Sequence, residues 1–195
     1  MATAPFELVS GPVSIYTATV GTAAPEISDT PPTAWSLLGT NGAKNYGDDG
    51  VTITFDQTVE EQMVLGSTAP QKAFRTEEHL SLSVVLVDLT AETLAAVMNG
   101  QTVSTRNAAS GVGGHKSIDL LRGSSVREVA LLIRGFSPYA DDMNAQHWVP
   151  RAYVSSVGEY GFTKGEAAGT EVEFMALEHD TDGFGKYYAQ HLAAT

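Results

Sequence analysis

The stretch Ser110-Gly111-Val112-Gly113-Gly114-His115-Lys116-Ser117 comes nearest to a known chemistry. A phosphate-cradling loop needs Gly-x-x-x-x-Gly-Lys-Ser/Thr, so that backbone N–H groups at a helix start can wrap an anion. Ser110 and His115 stand where both glycines are required, and Ile118-Asp119-Leu120-Leu121 runs into another Gly-Ser turn instead of a long helix. The stretch therefore reads as a flexible loop. His179-Asp180-Thr181-Asp182-Gly183 has the opening of a calcium loop but lacks a third oxygen ligand before the glycine and a glutamate near the end. Asp and Gly favour turns for local reasons, so a turn is the reading there.

The remaining chemistry-bearing residues are dispersed. Five histidines (79, 115, 147, 179 and 191) show no metalloprotease spacing, and no Gly-x-Ser-x-Gly elbow occurs. Cysteine is absent, which removes disulfides, thiolate metal sites and thiol nucleophiles. The acid pairs Asp48-Asp49, Glu60-Glu61, Glu77-Glu78 and Asp141-Asp142 are adjacent in sequence. On a strand, adjacent side chains point to opposite faces and cannot share one site. No catalytic residue, metal ligand or cofactor is expected, and the chain reads as a non-enzymatic protein.

With 195 residues the chain has room for one sizeable domain. Charged residues make up 17%, below the usual quarter, which fits a surface partly covered by partners. The net charge is −12 and unevenly spread: residues 1–100 hold twelve acids and three bases, residues 101–195 eleven acids and eight bases. An acidic chain is unsuited to tight nucleic-acid binding, which uses Lys and Arg to displace counterions. It does not argue against a surface that DNA passes without sticking, since like charge repels. No apolar run approaches the ~20 residues that cross a bilayer, and the N-terminus has neither the basic nor the apolar region of a secretory signal, so no membrane insertion is expected.

Strand signals dominate. Val13 to Val20 follows a Gly-Pro break; Val51-Thr52-Ile53-Thr54-Phe55 alternates strictly; Leu80 to Val87 alternates and then turns wholly apolar, as for a stretch covered on both sides. Val129–Arg134, Trp148–Ser155 and Glu171–Glu178 complete six or seven strands, the count of a sandwich or barrel. One short helix is expected at about 90–99, with Thr90 as N-cap, Leu94, Val97 and Met98 on one face, and Asn99-Gly100 as the stop. The fold class is thus mostly β: a β-sandwich or barrel with one short flanking helix and long loops. Residues 1–34 form a Pro-containing extended lead, and 102–116 reads as a mobile surface loop. Gln57 to Arg75 is long for a connection yet contains Met63-Val64-Leu65, and a loop of that length in one domain is usually functional. Glu171 and Glu173 share one face of the last long strand, with Val172, Phe174 and Ala176 opposite, as on an ordinary solvated sheet face.

In order, the landmarks are Trp35–Thr40, Tyr46–Ile53, Val64–Ser67, Arg75–Glu78, Leu86–Leu94, Val129–Gly135, Trp148–Ala152 and Glu171–Leu177. Through their order and spacing the chain resembles the major tail tube proteins of long-tailed bacteriophages, over roughly residues 35–180. The resemblance implies a structural subunit that forms homohexameric rings stacked into a hollow tube through which DNA passes. Its implied location is the virion tail, with assembly in the bacterial host cytoplasm. Tape-measure, tail-tip and terminator proteins are the implied partners. It also implies that a long loop between early strands contacts the next ring. By position that loop is 57–75, which marks Gln57, Glu60, Glu61, Met63, Val64, Leu65, Lys72, Phe74 and Arg75 as candidate inter-ring residues. An acidic lumen would repel phosphate, which marks Glu171 and Glu173 as candidate bore-facing residues. The longer lead and the 102–116 loop depart from the smallest family members, and neither looks like an immunoglobulin-like decoration domain. Two other readings stand beside this one: the tube of a contractile tail or type VI secretion-like system, and a monomeric β-sandwich binding or adhesion module. The latter would display aromatics for sugar stacking, whereas Trp35 and Trp148 lie in or beside apolar strand patterns.

Overall fold

The computed structural model describes residues 11–28, 30–162, 164–165 and 168–191; residues 1–10 of the expected lead lie outside them. The strands in chain order are β1 (Ser14–Ala18), β2 (Ser36–Leu37), β3 (Tyr46–Gln62), β4 (Lys72–Leu86), β5 (Ser104–Arg106), β6 (His115–Ser117), β7 (Glu128–Ser137), β8 (Ala140–Val157), β9 (Thr170–Ala176) and β10 (Lys186–Ala189). A short turn of 3-10 helix, Gly42–Asn45, leads into β3, and the helix α1 (Ala91–Val97) follows β4. Strand alternation explains the pairing. Val51, Ile53 and Phe55 stand opposite Val84, Leu82 and Leu80, and Val84 and Leu82 stand in turn opposite Val172 and Phe174. Each such row puts branched or aromatic residues on one face of the antiparallel ladder.

One antiparallel sheet runs in the order β2-β1-β7-β8-β9-β4-β3, with β10 also paired to β8. Among the described residues the sheet does not close into a barrel. It folds over itself instead, because β8 serves both halves. Ala145 to Trp148 pair with β10, while Ala152 to Val157 pair with β9. Where β8 changes partners its register with β7 slips, between Val129–Ala152 and Leu131–Val149, so Pro150 sits in a bulge. A proline is tolerated there because its missing N–H is not called on by the ladder. Gly185 passes so close to this point that a Cβ on it would lie 1.9 Å from the Trp148 carbonyl oxygen, and its φ is +112°.

The folded sheet encloses the main core, which joins Ile15, Leu131, Ile133 and Val149 to Leu80, Leu82, Val84, Leu86, Val172 and Phe174. Tyr46 crosses it: its hydroxyl accepts from Ile15 N at 3.0 Å and donates to Leu38 O at 2.9 Å. Burial pushes its pKa up to about 12. Helix α1 adds Val97 to this core and is capped as its sequence implies, Thr90 Oγ1 accepting from Thr93 N at 3.3 Å. Asn99 ends it in the left-handed region at φ 69°.

A second, smaller core lies on the other side of β7, where Ala130, Leu132 and Trp148 meet Ala18 and Trp35. The lead covers it. Trp148 Nε1 donates to Thr22 O at 3.0 Å, Gln146 Nε2 to Pro25 O at 2.9 Å, Arg134 Nη2 to Glu26 O at 3.0 Å and Asn144 Nδ2 to Ile27 O at 3.0 Å. The lead thus has no ladder of its own here, yet its carbonyls are satisfied by side chains of β7 and β8. The strand covered on both faces is β7, not the end of β4, where Val85 is only half-buried and Val87, just beyond the strand, is exposed.

Candidate assembly surfaces

Beyond Phe55 and before Leu80, β3 and β4 continue as a two-stranded arm in which both faces meet solvent. Gln57–Gln62 and Lys72–Arg75, read as loop from sequence, are strand, and only 63–71 connects them. One face carries Gln57 opposite Glu78, Val59 opposite Arg75 and Glu61 opposite Ala73; the other carries Thr58 opposite Glu77, Glu60 opposite Phe74 and Gln62 opposite Lys72. Thr76 is the extra residue of a bulge between them. Arg75 donates from Nε to Gln57 Oε1 at 2.8 Å and pairs with Glu78 at 3.1 Å, while Lys72 Nζ lies 5.0 Å above the Phe74 ring. At the tip, Gln71 N donates to Gln62 O at 2.9 Å and Ser67 Oγ accepts from Ala69 N at 3.2 Å. All nine candidate inter-ring residues therefore sit on this one arm. Its apolar side chains stay open to solvent: Leu65 is fully exposed and Val59, Met63, Val64 and Phe74 are exposed as well, as is Phe55 at its base, at 73%. A two-stranded ribbon is at best marginally stable alone. This one is held because both strands run unbroken into the core.

The outer face of the β3-β4-β9 half is different in kind. Thr52, Ser83, Glu173 and Ser156 align across it, as do Thr54, Ser81 and Met175, with Glu171 opposite Val85. None of these positions is Lys or Arg. Glu171 is exposed; Glu173 is half-buried and accepts from Ser155 Oγ at 2.8 Å and Ser156 Oγ at 3.4 Å. The two acids share this face, and Val172 and Phe174 are buried on the other.

Residues 101–127 form an excursion between α1 and β7 that the sequence marks only as a loop at 102–116. It contains the β5–β6 ribbon, in which Ser104, Thr105 and Arg106 pair with Ser117, Lys116 and His115. Asn99 clasps its return: Nδ2 donates to Arg122 O at 2.7 Å and Ser125 O at 2.9 Å, and Oδ1 accepts from Arg127 N at 2.5 Å. Gln101 Nε2 adds a bond to Leu121 O at 2.8 Å. Lys116, the lysine of the loop resembling a phosphate site, bonds Glu92 on α1 and holds that carboxyl below its usual range. What the clasp presents is apolar: Leu120 and Leu121 are 70% and 82% exposed, beside exposed Val126. The signal available in the sequence was this leucine pair inside a polar stretch.

The other sites raised by the sequence resolve into structure. His179 and Gly183 bridge a turn, and Asp182 within it pairs with Lys186 at 2.7 Å. Among the described residues no group of three His, Asp or Glu side chains is placed to hold a metal ion. Trp35 and Trp148 are both buried. His147 packs against Tyr187 at the base of the arm, ring centres 4.5 Å apart and planes tilted by 38°, and burial lowers its pKa.

A comparison with curated proteins finds no match. A solved structure described as the tail of an empty GTA particle, computed with helical refinement under C6 symmetry, is similar to this chain at 11% identity and a TM-score of 0.41, over 91% of this chain and 95% of that one. The family model described as phage tail tube protein matches residues 5–195. The chain belongs to the phage tail tube protein family, and its place is that of a structural tail tube subunit in the virion tail.

Proposed function

We infer that this subunit forms hexameric rings that stack into the tube, that its hairpin arm joins one ring to the next, and that DNA travels along the resulting bore. The arm carries this reading. A ribbon that runs over 56–62 and 72–79, with exposed apolar side chains on a strand pair rooted in the core, gains stability by meeting another surface. Family membership supports the tube, and ring closure by unlike surfaces is the general route to a cyclic assembly. The hydroxyl-rich rows bearing Glu171 and Glu173, with no Lys or Arg among their positions and the neighbouring Arg151 paired to Glu128, support the assignment of this face to the bore, where like charge lets phosphate slide. This reading places assembly in the host cytoplasm and requires a tape-measure protein and tail-tip proteins as partners.

The decisive experiment replaces Thr58–Glu77 by an Asn-Gly turn, since Gln57 and Glu78 already face each other and a two-residue turn closes such a pair. The shortened subunit should fold with an unchanged melting temperature and form no tubes in negative-stain electron microscopy. Tubes of ordinary length from the armless chain would overturn the stacking role. For the bore, Glu171→Lys with Glu173→Lys should leave tubes intact and slow or trap DNA ejection; unchanged ejection would remove these acids from the lumen.

A further inference from the structure

The stacking reading leaves the arm's receptor unassigned, and the charge distribution points to one. The arm, 56–79, carries Asp56, Glu60, Glu61, Glu77 and Glu78 against Lys72 and Arg75, a formal charge of −3. The excursion, 101–127, carries Arg106, Lys116, Arg122 and Arg127 against Asp119, a formal charge of +3 in a chain whose total is −12. Among the described residues, Glu60 and Glu61 on the arm make no ion pair, and neither do Arg106, Arg122 and Arg127 on the excursion. Both surfaces also expose apolar side chains: Met63, Val64 and Leu65 at the arm's tip, and Leu120, Leu121 and Val126 on the excursion.

We propose that the 101–127 excursion is the docking surface for the hairpin arm of a second copy of this chain in the neighbouring ring. The two surfaces are unlike and belong to different parts of one subunit, so a contact between them is heterologous and repeats from ring to ring. Opposite charge steers the approach and sets the register, and the leucine pair provides the apolar seat that holds it. The clasp made by Asn99 and Gln101 keeps that seat shaped before the arm arrives, which lowers the ordering cost of docking. The proposal rests on the stacking reading, but it can fail separately.

The chain has no cysteine, so Leu65→Cys and Leu121→Cys introduce single, exposed thiols. Tubes grown from an equal mixture of the two variants and then oxidised should give a disulfide-linked dimer that neither variant gives alone. In parallel, Arg106→Glu with Arg122→Glu should abolish tubes while circular dichroism stays unchanged, since both side chains are exposed. Adding Glu60→Lys with Glu61→Lys should restore tubes by re-pairing the charges. If the mixed tubes yield no such dimer and the reversed excursion still supports tubes, the receptor lies elsewhere; loss of tubes from the armless chain would then leave the stacking role itself standing. If the armless chain forms tubes, both readings fall together.

Discussion

Strand β7 and the distal halves of β3 and β4 are built from the same extended backbone, yet they have opposite surroundings. In β7 alternate residues enter two cores: Val129, Leu131 and Ile133 face one, Ala130 and Leu132 the other. In the arm, alternate residues enter none. Ladder hydrogen bonds are present in both, so they are not what separates a strand that stabilises the subunit from one that stabilises the assembly. Burial separates them, at roughly 25 cal/mol for each Å² of apolar surface removed from water.

Substitutions can test that contrast. Leu132→Ala in β7 should cost about 2–5 kcal/mol and lower the Tm by roughly 5–15 °C in a chain of this size. Next in size is Tyr46→Phe, which leaves the buried Ile15 N–H without its acceptor and should cost about 1–3 kcal/mol by denaturant titration. His147, at the boundary between body and arm, supplies a pH test. Its folded pKa is depressed by burial, so the unfolded chain binds its proton first as pH falls; stability from this residue is full above about 6.5 and declines below it. His147→Phe should flatten that acid limb in thermal melts across pH 5–7. Smallest of all, Leu65→Ala at the arm's tip should change subunit stability by less than about 0.5 kcal/mol. A Tm drop from Leu65→Ala as large as that from Leu132→Ala would break the comparison, because it would mean that the tip packs on its own body.

The same contrast decides how much was legible in the sequence. Val51–Phe55 and Leu80–Leu86 are readable as strands because one face of each turns to the core and so alternates, and Val129–Arg134 is readable as the continuous apolar run of a strand covered on both faces. Helix α1 was readable from Thr90 and Asn99, whose capping chemistry is local. Gln57–Gln62 and Lys72–Arg75 carry no strand signal because a ribbon with no buried face has no apolar alternation to display. The second core leaves no pattern in the sequence for a related reason. What covers Ala130 and Leu132 is a proline-containing lead with no ladder, and its docking depends on side chains more than a hundred residues away, such as Gln146 and Trp148. Of the candidate sites, the nine residues between 57 and 75 lie on one hairpin, as neighbours in sequence joined by a turn must, whereas the place of Leu120 and Leu121 is set by Asn99, more than twenty residues away, which no local pattern displays.

The continuity of β3, β4, β9 and β8 has a mechanical consequence. A pull on the arm's tip is carried along two uninterrupted strands into the sheet, where it loads the ladder hydrogen bonds in shear, many at once. It then passes through β9 to β8, the single strand common to both halves of the fold. The subunit is therefore stiff along the arm. The points along this path where the ladder can bend are its bulges, at Thr76 in the arm, at Ser155 between β8 and β9, and at Pro150, where Gly185 is pressed against the strand.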